Sequence, residues 1–234
     1  RSGSSTVEAA AMADLASLVR ISIQGKHTPA QIAGIARASD AHLRSCWREI
    51  PRVMKEAFGP TPSASAAAWG GEHTIVQVFL LECLSWQTLD GDLVSYFVDA
   101  AGTFLTRADP AQCQIVPDKF TKVCRRFKEI HIASGRPARL AIKPIKAAIY
   151  KMQPKDITVP APPGCSLLTP CHVDFLHMCL LGKYYGLAYR TLASSPRDED
   201  GECLFPSIDP AKTSVTLRDF LLYCYYAGIV CIGC

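Results

Sequence analysis

The chain has 234 residues, 49% of them hydrophobic and 20% charged, and a formal net charge of +4. This length is enough for one large hydrophobic core or two small ones. The eleven cysteines are odd in number and scattered, whereas a disulfide framework is typical of short secreted chains. Glu8 and Asp14 interrupt any apolar run near the start, so no signal peptide is expected. These features predict an intracellular protein with reduced thiols.

The net charge hides a strongly basic segment at residues 119–155. It contains eleven Lys and Arg against one acid, Glu129, so it carries +10 and the remainder of the chain −6. One interpretation is a solvated face on two helices, and the other is a strip that docks an acidic partner. Nucleic acid is the weaker partner, because the segment lacks interleaved aromatic residues and a Gly-rich recognition loop. The candidate docking residues are Lys119, Lys122, Arg125 and Arg126.

Helix start signals organise the first part of the chain. Ser5-Thr6-Val7-Glu8 is a capping box that opens a helix through residue 24. Thr28-Pro29 opens a second helix that reaches residue 47, with Pro at the first helical position. Pro51 then forces a break or kink before a short helix over 53–58.

Residues 59–71 separate these helices from the rest of the chain. The segment is rich in Pro, Ser and Ala, a composition that predicts a flexible linker. The expected organisation is therefore a group of N-terminal helices over 1–58, the linker, and a helical-repeat domain over 72–234.

The helices that follow the linker differ in how apolar they are. The 72–86 helix is apolar on most sides and is expected to be buried, whereas the 92–106 helix is amphipathic. Asp109-Pro110 begins a helix with an apolar stripe and a basic face, and Gly135 ends it.

The second half of the chain continues in helical pairs. Residues 136–152 form a helix in which Pro144 predicts a kink. Thr169-Pro170 begins a helix over 171–183, and residues 184–193 form its short partner.

Strand alternation does not persist anywhere in the sequence. The helices follow one another in hairpins at roughly 35 to 40 residues per pair, with loops at 153–168 and 194–214. This pattern predicts an all-α fold, a right-handed helical-repeat (TPR-like) solenoid of antiparallel helix pairs. Such a fold is typical of surfaces that bind other proteins.

The closing helix is expected to be covered on all sides. Thr216 and Asp219 form its start signal, and apolar residues lie on both faces from residue 220 to 234. A membrane span needs about 20 apolar residues, whereas this run supplies 15, so a buried helix is the better interpretation. The run has no stop signal, and the natural polypeptide is expected to continue. The candidate packing residues are Phe220, Tyr223, Ala227 and Gly228 here, with His172 and Cys179 on the 171–183 helix.

The densest group of chemically active side chains comprises Cys165, Cys171, His172, His177 and Cys179. Their spacing is wrong for zinc, because His172 and His177 turn away from each other and His172 and Cys179 lie about 10 Å apart along a helix axis. Thiols in apolar surroundings are inert, and His172 is expected to cap the helix or to hydrogen-bond within the core. We expect no catalytic residue, metal or cofactor, although a thiol or zinc enzyme built on Cys171, His172 and Cys179 remains an alternative hypothesis.

Three stretches share order and spacing with a known family over residues 72–233. They are Glu72-His73-Thr74 through Phe79-Leu80-Leu81-Glu82; Phe120-Thr121-Lys122-Val123-Cys124 with the 141–153 segment; and His172-Val173-Asp174 with Cys179-Leu180-Leu181-Gly182-Lys183, followed by residues 219–233. The closing helix, with its Tyr-Cys-Tyr-Tyr-Ala-Gly core, is the most specific piece. Together they resemble the third-subunit family of the COP-nine signalosome.

The resemblance implies the N-terminal helical-repeat arm of a non-catalytic scaffold subunit, normally followed by a winged-helix PCI module. It implies partners among the other signalosome subunits and, indirectly, cullin–RING ubiquitin ligases, from whose cullins the assembly removes the ubiquitin-like protein Nedd. The zinc metalloprotease site is expected on a different subunit, and the location in cytoplasm and nucleus. No nucleic acid, membrane or small-molecule substrate is implied. A related PCI subunit of the proteasome lid or of a translation-initiation complex is the alternative, and a basic RNA-binding module using residues 119–155 is a further one.

Overall fold

A computed structural model describes residues 15–59, 62, 65, 68–153, 167–193 and 207–234. Within those residues the regular secondary structure is helical, and the only bridge pairings are isolated ones. The helices are α1 (Leu15–Ile23), α2 (Pro29–Ala38), α3 (Asp40–Ser45), α4 (Ile50–Phe58), α5 (Thr74–Ser85), α6 (Gly91–Arg107), α7 (Pro110–Cys113), α8 (Pro117–Ala133), α9 (Arg139–Lys151), α10 (Pro170–Leu181), α11 (Tyr185–Ala193), α12 (Pro210–Thr213) and α13 (Leu217–Gly233), with a 3₁₀ turn at Trp47–Glu49. None of these described helices combines the length and the apolar character that crossing a membrane requires.

The chain divides into two compact units between Val123 and Cys124, within α8. This division falls inside the expected 72–234 domain and not at the expected 59–71 linker. The physical reason is that α5, which follows the linker, packs against α1, α2 and α3, which precede it. The helices on either side of the linker therefore share one core.

The first unit is built around α5. All twelve of its residues are buried, and it contacts α1, α2, α3, α6 and α7. A mostly apolar helix needs neighbours on every side, and here it has them, with the polar side chains of Thr74, Gln77, Glu82 and Ser85 buried as well. The expected burial of the 72–86 helix is confirmed.

The end of the expected linker, at Trp69 and Gly70, packs against the helices of the first unit. Residues 60, 61, 63, 64, 66 and 67 lie outside the described residues, but Trp69 is fully buried and its ring lies 5.7 Å from that of Phe58. Gly70 donates its backbone N–H to Gln77 at 2.7 Å. Gly70 has a φ of +80°, and a Cβ there would lie 2.2 Å from the carbonyl oxygen of Arg107, so only glycine fits this close approach.

Two of the expected helix starts are confirmed as capping boxes. Thr28 accepts from the backbone N–H of Gln31 and pairs with its side chain, with Pro29 at the first position of α2. Thr216 and Asp219 form the same arrangement at the start of α13. Each box satisfies backbone donors that a helix start leaves open. The Ser5–Glu8 box lies outside the described residues.

Two long helices of the sequence interpretation are in fact broken. The 28–47 helix ends at Ala38, and α3 and the 3₁₀ turn follow it. The helix that begins at Asp109 is also interrupted, since α7 ends at Cys113 and α8 begins at Pro117. Proline has no backbone N–H and clashes with the preceding turn, so Pro117 favours the start of a helix over its continuation. The expected loops at 153–168 and 194–214 lie mostly outside the described residues. The end of the second loop includes the short helix α12.

The second unit is built around α10, which packs against α9, α11 and α13. Nine of the twelve α10 residues are buried, including His172 and Cys179. Pro144 lies inside α9, and the left-handed Gly135 (φ +65°) follows α8, as the stop signal there predicts.

Within the described residues α13 is covered on one face, and the expectation that it is covered on all sides stays a prediction. Its buried residues are Asp219, Tyr223 and Val230. Phe220 and Ala227 are half-buried, and Gly228 is exposed, with no atom within 4 Å of a Cβ built there. One face of α13 packs on α10 and α11, whereas no described residue of the chain covers the opposite face.

Candidate interaction surfaces

His172 is a structural residue of α10. Its Nδ1 accepts from the backbone N–H of Thr169 at 3.0 Å and lies 2.9 Å from the Thr169 hydroxyl. The ring is 4% exposed and meets the Tyr223 ring edge-on at 6.1 Å. Burial lowers the pKa of His172 to about 4. The imidazole is therefore neutral at physiological pH and closed to solvent.

The thiols near His172 are buried as well. Cys171 and Cys179 are fully buried, and burial raises the pKa of Cys179 to about 12. A hydrogen bond with Cys171, together with burial, raises the pKa of Cys124 well above its ordinary value. A nucleophilic cysteine needs a thiolate and access to substrate. Cys179 has neither and Cys171 has no access, so the geometry gives no support to a thiol enzyme on Cys171, His172 and Cys179.

Lys119, the first of the four candidate docking residues, is an internal side chain. Its ammonium donates to Asp40 at 2.9 Å and to Glu82 at 3.2 Å, and the side chain is 10% exposed. Glu82 is fully buried and also accepts from Arg44 and from the indole of Trp86. Lys119 therefore balances a buried carboxylate inside the first unit.

The same cluster is the one place in the described part of the chain where carboxylates and a thiol gather closely. Ligand atoms of Asp40, Glu82 and Cys83 lie within 4.8 Å of one another. Burial alone would raise the pKa of Asp40, but hydrogen bonds from Lys119 and Arg44 outweigh it and lower that pKa. Because the two cations already occupy the carboxylate oxygens, the residues fit an ion-pair network and do not fit a metal site.

Arg125 and Lys128, in the part of α8 that belongs to the second unit, pair with carboxylates of that unit. Arg125 forms a short ion pair with Asp219 of α13, whose carboxylate is 2% exposed. Lys128 donates to Asp174 of α10 at 2.6 Å, and Asp174 is 1% exposed. These two pairs join α8 to the two helices that carry the most apolar sequence of the unit.

The other candidate docking residues lie closer to solvent. Arg126 pairs with Glu129 at 3.2 Å, and Lys122 is half exposed, with Asp118 at 4.0 Å. The interpretation of Lys119, Lys122, Arg125 and Arg126 as one free basic strip is therefore corrected. Lys119 and Arg125 neutralise the buried carboxylates of Glu82 and Asp219, which lie far away in the sequence. A count of local charges therefore overestimates how much of this segment is free to bind a partner.

A cavity of about 230 Å³ lies among α8, α10 and α13. Its charged lining consists of Arg125, Lys128, Arg218, Glu129, Asp174 and Asp219, and its apolar lining includes Val173 and Leu222. His177 and Tyr226 also line it, with their rings stacked at 5.2 Å and 17°. Asp174 Oδ2 is buried and has no hydrogen-bond partner among the described residues. Sequence reasoning missed this cavity, although an acid between Val173 and Phe175 in an apolar helix was a signal for it.

Beside the cavity, α13 presents an apolar face to solvent. The exposed fractions are 58% for Leu221, 63% for Tyr225 and 88% for Ile232, and Gly228 lies between the last two. Their spacing of four, three and four residues places them along one side of the helix. Apolar residues that line up in this way mark surfaces that bind other proteins.

The fold and these surfaces define an all-α helical-repeat protein, and the all-α helical-repeat class expected from the sequence is confirmed. Residues 70–234 match the family described as COP9 signalosome complex subunit 3, N-terminal helical repeats. The chain belongs to this family, and the resemblance carried by the three sequence stretches is confirmed.

Two curated relatives bear that name. The chain is 26% identical over 162 residues to COP9 signalosome complex subunit 3 of Arabidopsis thaliana, an alignment that covers 69% of this chain and 32% of the relative. It is 25% identical over 158 residues to the same subunit of Dictyostelium discoideum, covering 68% of this chain and 33% of the relative. The chain thus spans about a third of the length of the curated relatives it matches. No solved structure matches it significantly.

Proposed function

We propose that this chain is the helical-repeat arm of a non-catalytic scaffold subunit in a signalosome that removes Nedd from cullins and so regulates cullin–RING ubiquitin ligases. Its partners are other subunits of that assembly, and its contact with the ligases is indirect. The zinc metalloprotease chemistry belongs to a different subunit. The assembly acts in the cytoplasm and the nucleus, and this subunit takes no nucleic acid, membrane or small-molecule substrate.

The exposed apolar face of α13 is the observation that carries the proposal. It lies within the residues that match the family, and it presents Leu221, Tyr225 and Ile232 to solvent on a helix whose other face is packed. Leaving such a face in water is unfavourable, so we infer that further protein, of the same polypeptide or of another subunit, covers it.

The buried chemistry supports the non-catalytic part of the proposal. His172 holds the start of α10, Cys179 lies in its core, and the Asp40–Glu82 carboxylates are held by Lys119 and Arg44. Among the described residues, Cys171, His172 and Cys179 already have a packing or hydrogen-bonding task, and Cys165 lies outside the described residues.

Purification of the tagged full-length natural protein from its own cells tests the proposal. Mass spectrometry is expected to identify the other signalosome subunits, including the metalloprotease subunit, and the preparation is expected to remove Nedd from a neddylated cullin. Recovery of proteasome-lid or translation-initiation subunits would replace the signalosome with a related PCI complex. A lone, monodisperse chain would refute the scaffold proposal.

A further inference from the structure

We propose that His42 and Cys46 chelate one divalent transition-metal cation, with Zn²⁺ as the best match, on the exposed side of α3. Both residues belong to the first unit, and Cys46 lies between the end of α3 and the 3₁₀ turn. The proposal goes beyond the proposed function and does not depend on it. It also departs from the sequence interpretation, which expects no metal.

One helical turn brings the two side chains together. The backbone N–H of Cys46 donates to the His42 carbonyl at 3.1 Å, so the residues are one α-helical turn apart and their side chains share a side. Cys46 Sγ lies 3.7 Å from His42 Nε2. His42 is exposed and Cys46 is half-buried, so ions in the solvent have access to the pair.

The separation of the two atoms matches the geometry of a metal site. Zinc binds sulfur at about 2.3 Å and nitrogen at about 2.0–2.1 Å in a tetrahedral arrangement, which places the two ligand atoms about 3.6 Å apart. The observed 3.7 Å agrees with this value within the tolerance of about 0.2 Å used for such sites. Both atoms can therefore bind one ion while the helical turn keeps its conformation.

Neither ligand atom is held by a strong partner among the described residues. The other hydrogen-bond contact of Cys46 Sγ is Ser45 Oγ at 3.7 Å, and that hydroxyl already donates to the His42 carbonyl at 2.7 Å. A thiol is a weak donor and a weak acceptor, so a cation displaces these contacts at little cost. The Asp40–Glu82 carboxylates differ in this respect, because cationic side chains already occupy their oxygens.

The two donor types select the metal. Thiolate and imidazole favour Zn²⁺ and similar transition metals, whereas Mg²⁺ and Ca²⁺ prefer oxygen ligands. Because the metal binds the thiolate, binding releases the Cys46 proton to solvent. With two protein ligands, water completes the coordination shell.

A carboxylate near the pair adds a favourable charge. The backbone N–H of Glu49 donates to the Cys46 carbonyl at 2.9 Å, and in a 3₁₀ turn side chains three residues apart lie on the same side. Glu49 pairs with Arg52 at 3.4 Å, but both side chains are about 60% exposed, so this ion pair is weak. The negative charge of Glu49 is therefore available to attract a cation to His42 and Cys46.

A bound cation would stabilise the short helix α3. This helix has six residues, and its Arg44 pairs with the buried carboxylate of Glu82. A metal that joins His42 to Cys46 closes the last turn of α3, and an ion that binds the folded chain more tightly than the unfolded one stabilises the fold. Zn²⁺ is thus expected to raise the melting temperature of the wild-type protein.

Cobalt binding to the full-length natural protein tests the proposal, because Co²⁺ substitutes for Zn²⁺ and its thiolate complexes absorb in the near ultraviolet. Added Zn²⁺ is expected to abolish this absorption, and excess Mg²⁺ is expected to leave it unchanged. Cys46→Ser and His42→Ala are each expected to weaken Co²⁺ binding at least about tenfold, since even loss of a group that only orients a metal ligand costs 10–100-fold.

Each variant has a matched control. Cys224→Ser removes an exposed thiol that has no His four residues away, and His27→Ala removes an exposed imidazole that has no Cys four residues away. Neither control is expected to change Co²⁺ binding. His42→Ala places a better helix former at an exposed position, so α3 is expected to stay folded, and circular dichroism checks this.

Three results would overturn the proposal. They are no thiolate–cobalt absorption in the wild-type protein, equal Co²⁺ binding by the wild type and Cys46→Ser, and a loss in Cys46→Ser that His42→Ala does not reproduce. The last result would mean that a single thiol binds the metal without the imidazole. None of them bears on the proposed function, which co-purification of the signalosome subunits tests separately.

Discussion

Arg125 of α8 forms an ion pair with Asp219 in the first turn of α13, although 94 residues separate the two in the sequence. The second oxygen of the same carboxylate accepts from the backbone N–H of Thr216 at 3.0 Å and from its hydroxyl at 2.6 Å. One buried side chain thus caps α13 and ties its first turn to α8.

Replacing Asp219 by Ala is expected to lower the free energy of unfolding by about 2–3 kcal/mol, because the change removes a helix cap and leaves Arg125 without its carboxylate. Urea denaturation followed by circular dichroism measures the effect. Lys122→Ala on α8, the helix that carries Arg125, is the matched control, since Lys122 is half exposed and Asp118 lies 4.0 Å away. A solvent-exposed pair of this kind contributes at most about 0.5 kcal/mol. Equal losses in the two variants would show that Asp219 has no special role.

Lys119 is expected to be required for the stability of the first unit. Replacing it by Met keeps the apolar stem but leaves Glu82 and Asp40 with Arg44 as their remaining cation. Breaking a buried pair in this way is expected to cost roughly 3 kcal/mol of unfolding free energy. Combining the change with Glu82→Gln is expected to recover at least about 1 kcal/mol relative to the sum of the single effects, because the two side chains interact directly.

The Lys119 effect is also expected to depend on pH with a definite sign. The folded-state pKa of Asp40 is lowered, so the stability that it contributes is present above its unfolded value and is lost as pH falls through the lowered pKa. The difference between wild type and Lys119→Met should therefore shrink in acid. A difference that is the same at pH 7 and below the Asp40 transition would argue against the ion pair as its cause.

His172 is expected to make the protein less stable as pH falls from about 6.5 to about 4, its folded-state pKa. In this range the unfolded chain binds a proton at His172 and the folded chain does not, so the free energy of unfolding decreases with falling pH. Protonation of Nδ1 would break its bond from the Thr169 N–H. The contribution amounts to about 3 kcal/mol across the range.

His172→Asn isolates this contribution, because an amide oxygen keeps an acceptor near Nδ1 but does not titrate. Thermal unfolding of both proteins between pH 7 and 4 gives the comparison. Wild type should lose the larger amount of stability, and parallel curves would contradict a buried neutral His172.

The sequence predicts this fold well where the signals are local. The capping pairs at Thr28 and Thr216 depend on residues three positions apart, and the structure shows both pairs. The burial of α5 follows from its composition, since eight of its twelve residues are apolar, and its polar residues, such as Glu82, are buried with them.

The sequence interpretation fails where a side chain forms an ion pair with a residue that is far away in the sequence. Lys119 and Arg125 look like members of one basic face, because the carboxylates that hold them, Asp40 and Asp219, lie 79 and 94 residues away. Local charge counting detects a cation but not its acceptor. The cavity beside Asp174 is missed for the same reason, since three separate helices form it.

The α13 helix shows a second limit of prediction from the sequence. An apolar residue looks the same in sequence whether it packs against its own chain or against another protein. The composition of α13 indicates that both faces need cover, and the structure shows cover on the face toward α10 and α11. Burial of Leu221 and Tyr225 therefore depends on protein outside the described residues, and the given sequence does not identify that protein.

Gly228 distinguishes packing within the chain from packing against a partner. The sequence interpretation predicts that Gly228→Leu overpacks a buried helix and costs 1–3 kcal/mol, the usual range for such changes. In the structure a Cβ at Gly228 meets no atom within 4 Å. There is therefore room for a Cβ. In the isolated chain the smaller change Gly228→Ala is expected to raise the free energy of unfolding by about 0.5–1 kcal/mol, because glycine is a poor helix former.

The Gly228 variants should behave differently once the partner is present. A larger side chain at this position stands on the exposed face of α13, so Gly228→Leu is expected to weaken recovery of the signalosome subunits while the chain remains stable. Gly34→Ala in α2 is the control, since its Cβ also meets open space and it lies on another helix. It should stabilise the protein and leave recovery unchanged. A Gly228→Leu protein that is itself destabilised would instead support burial within the chain, and full recovery would show that no partner approaches this face.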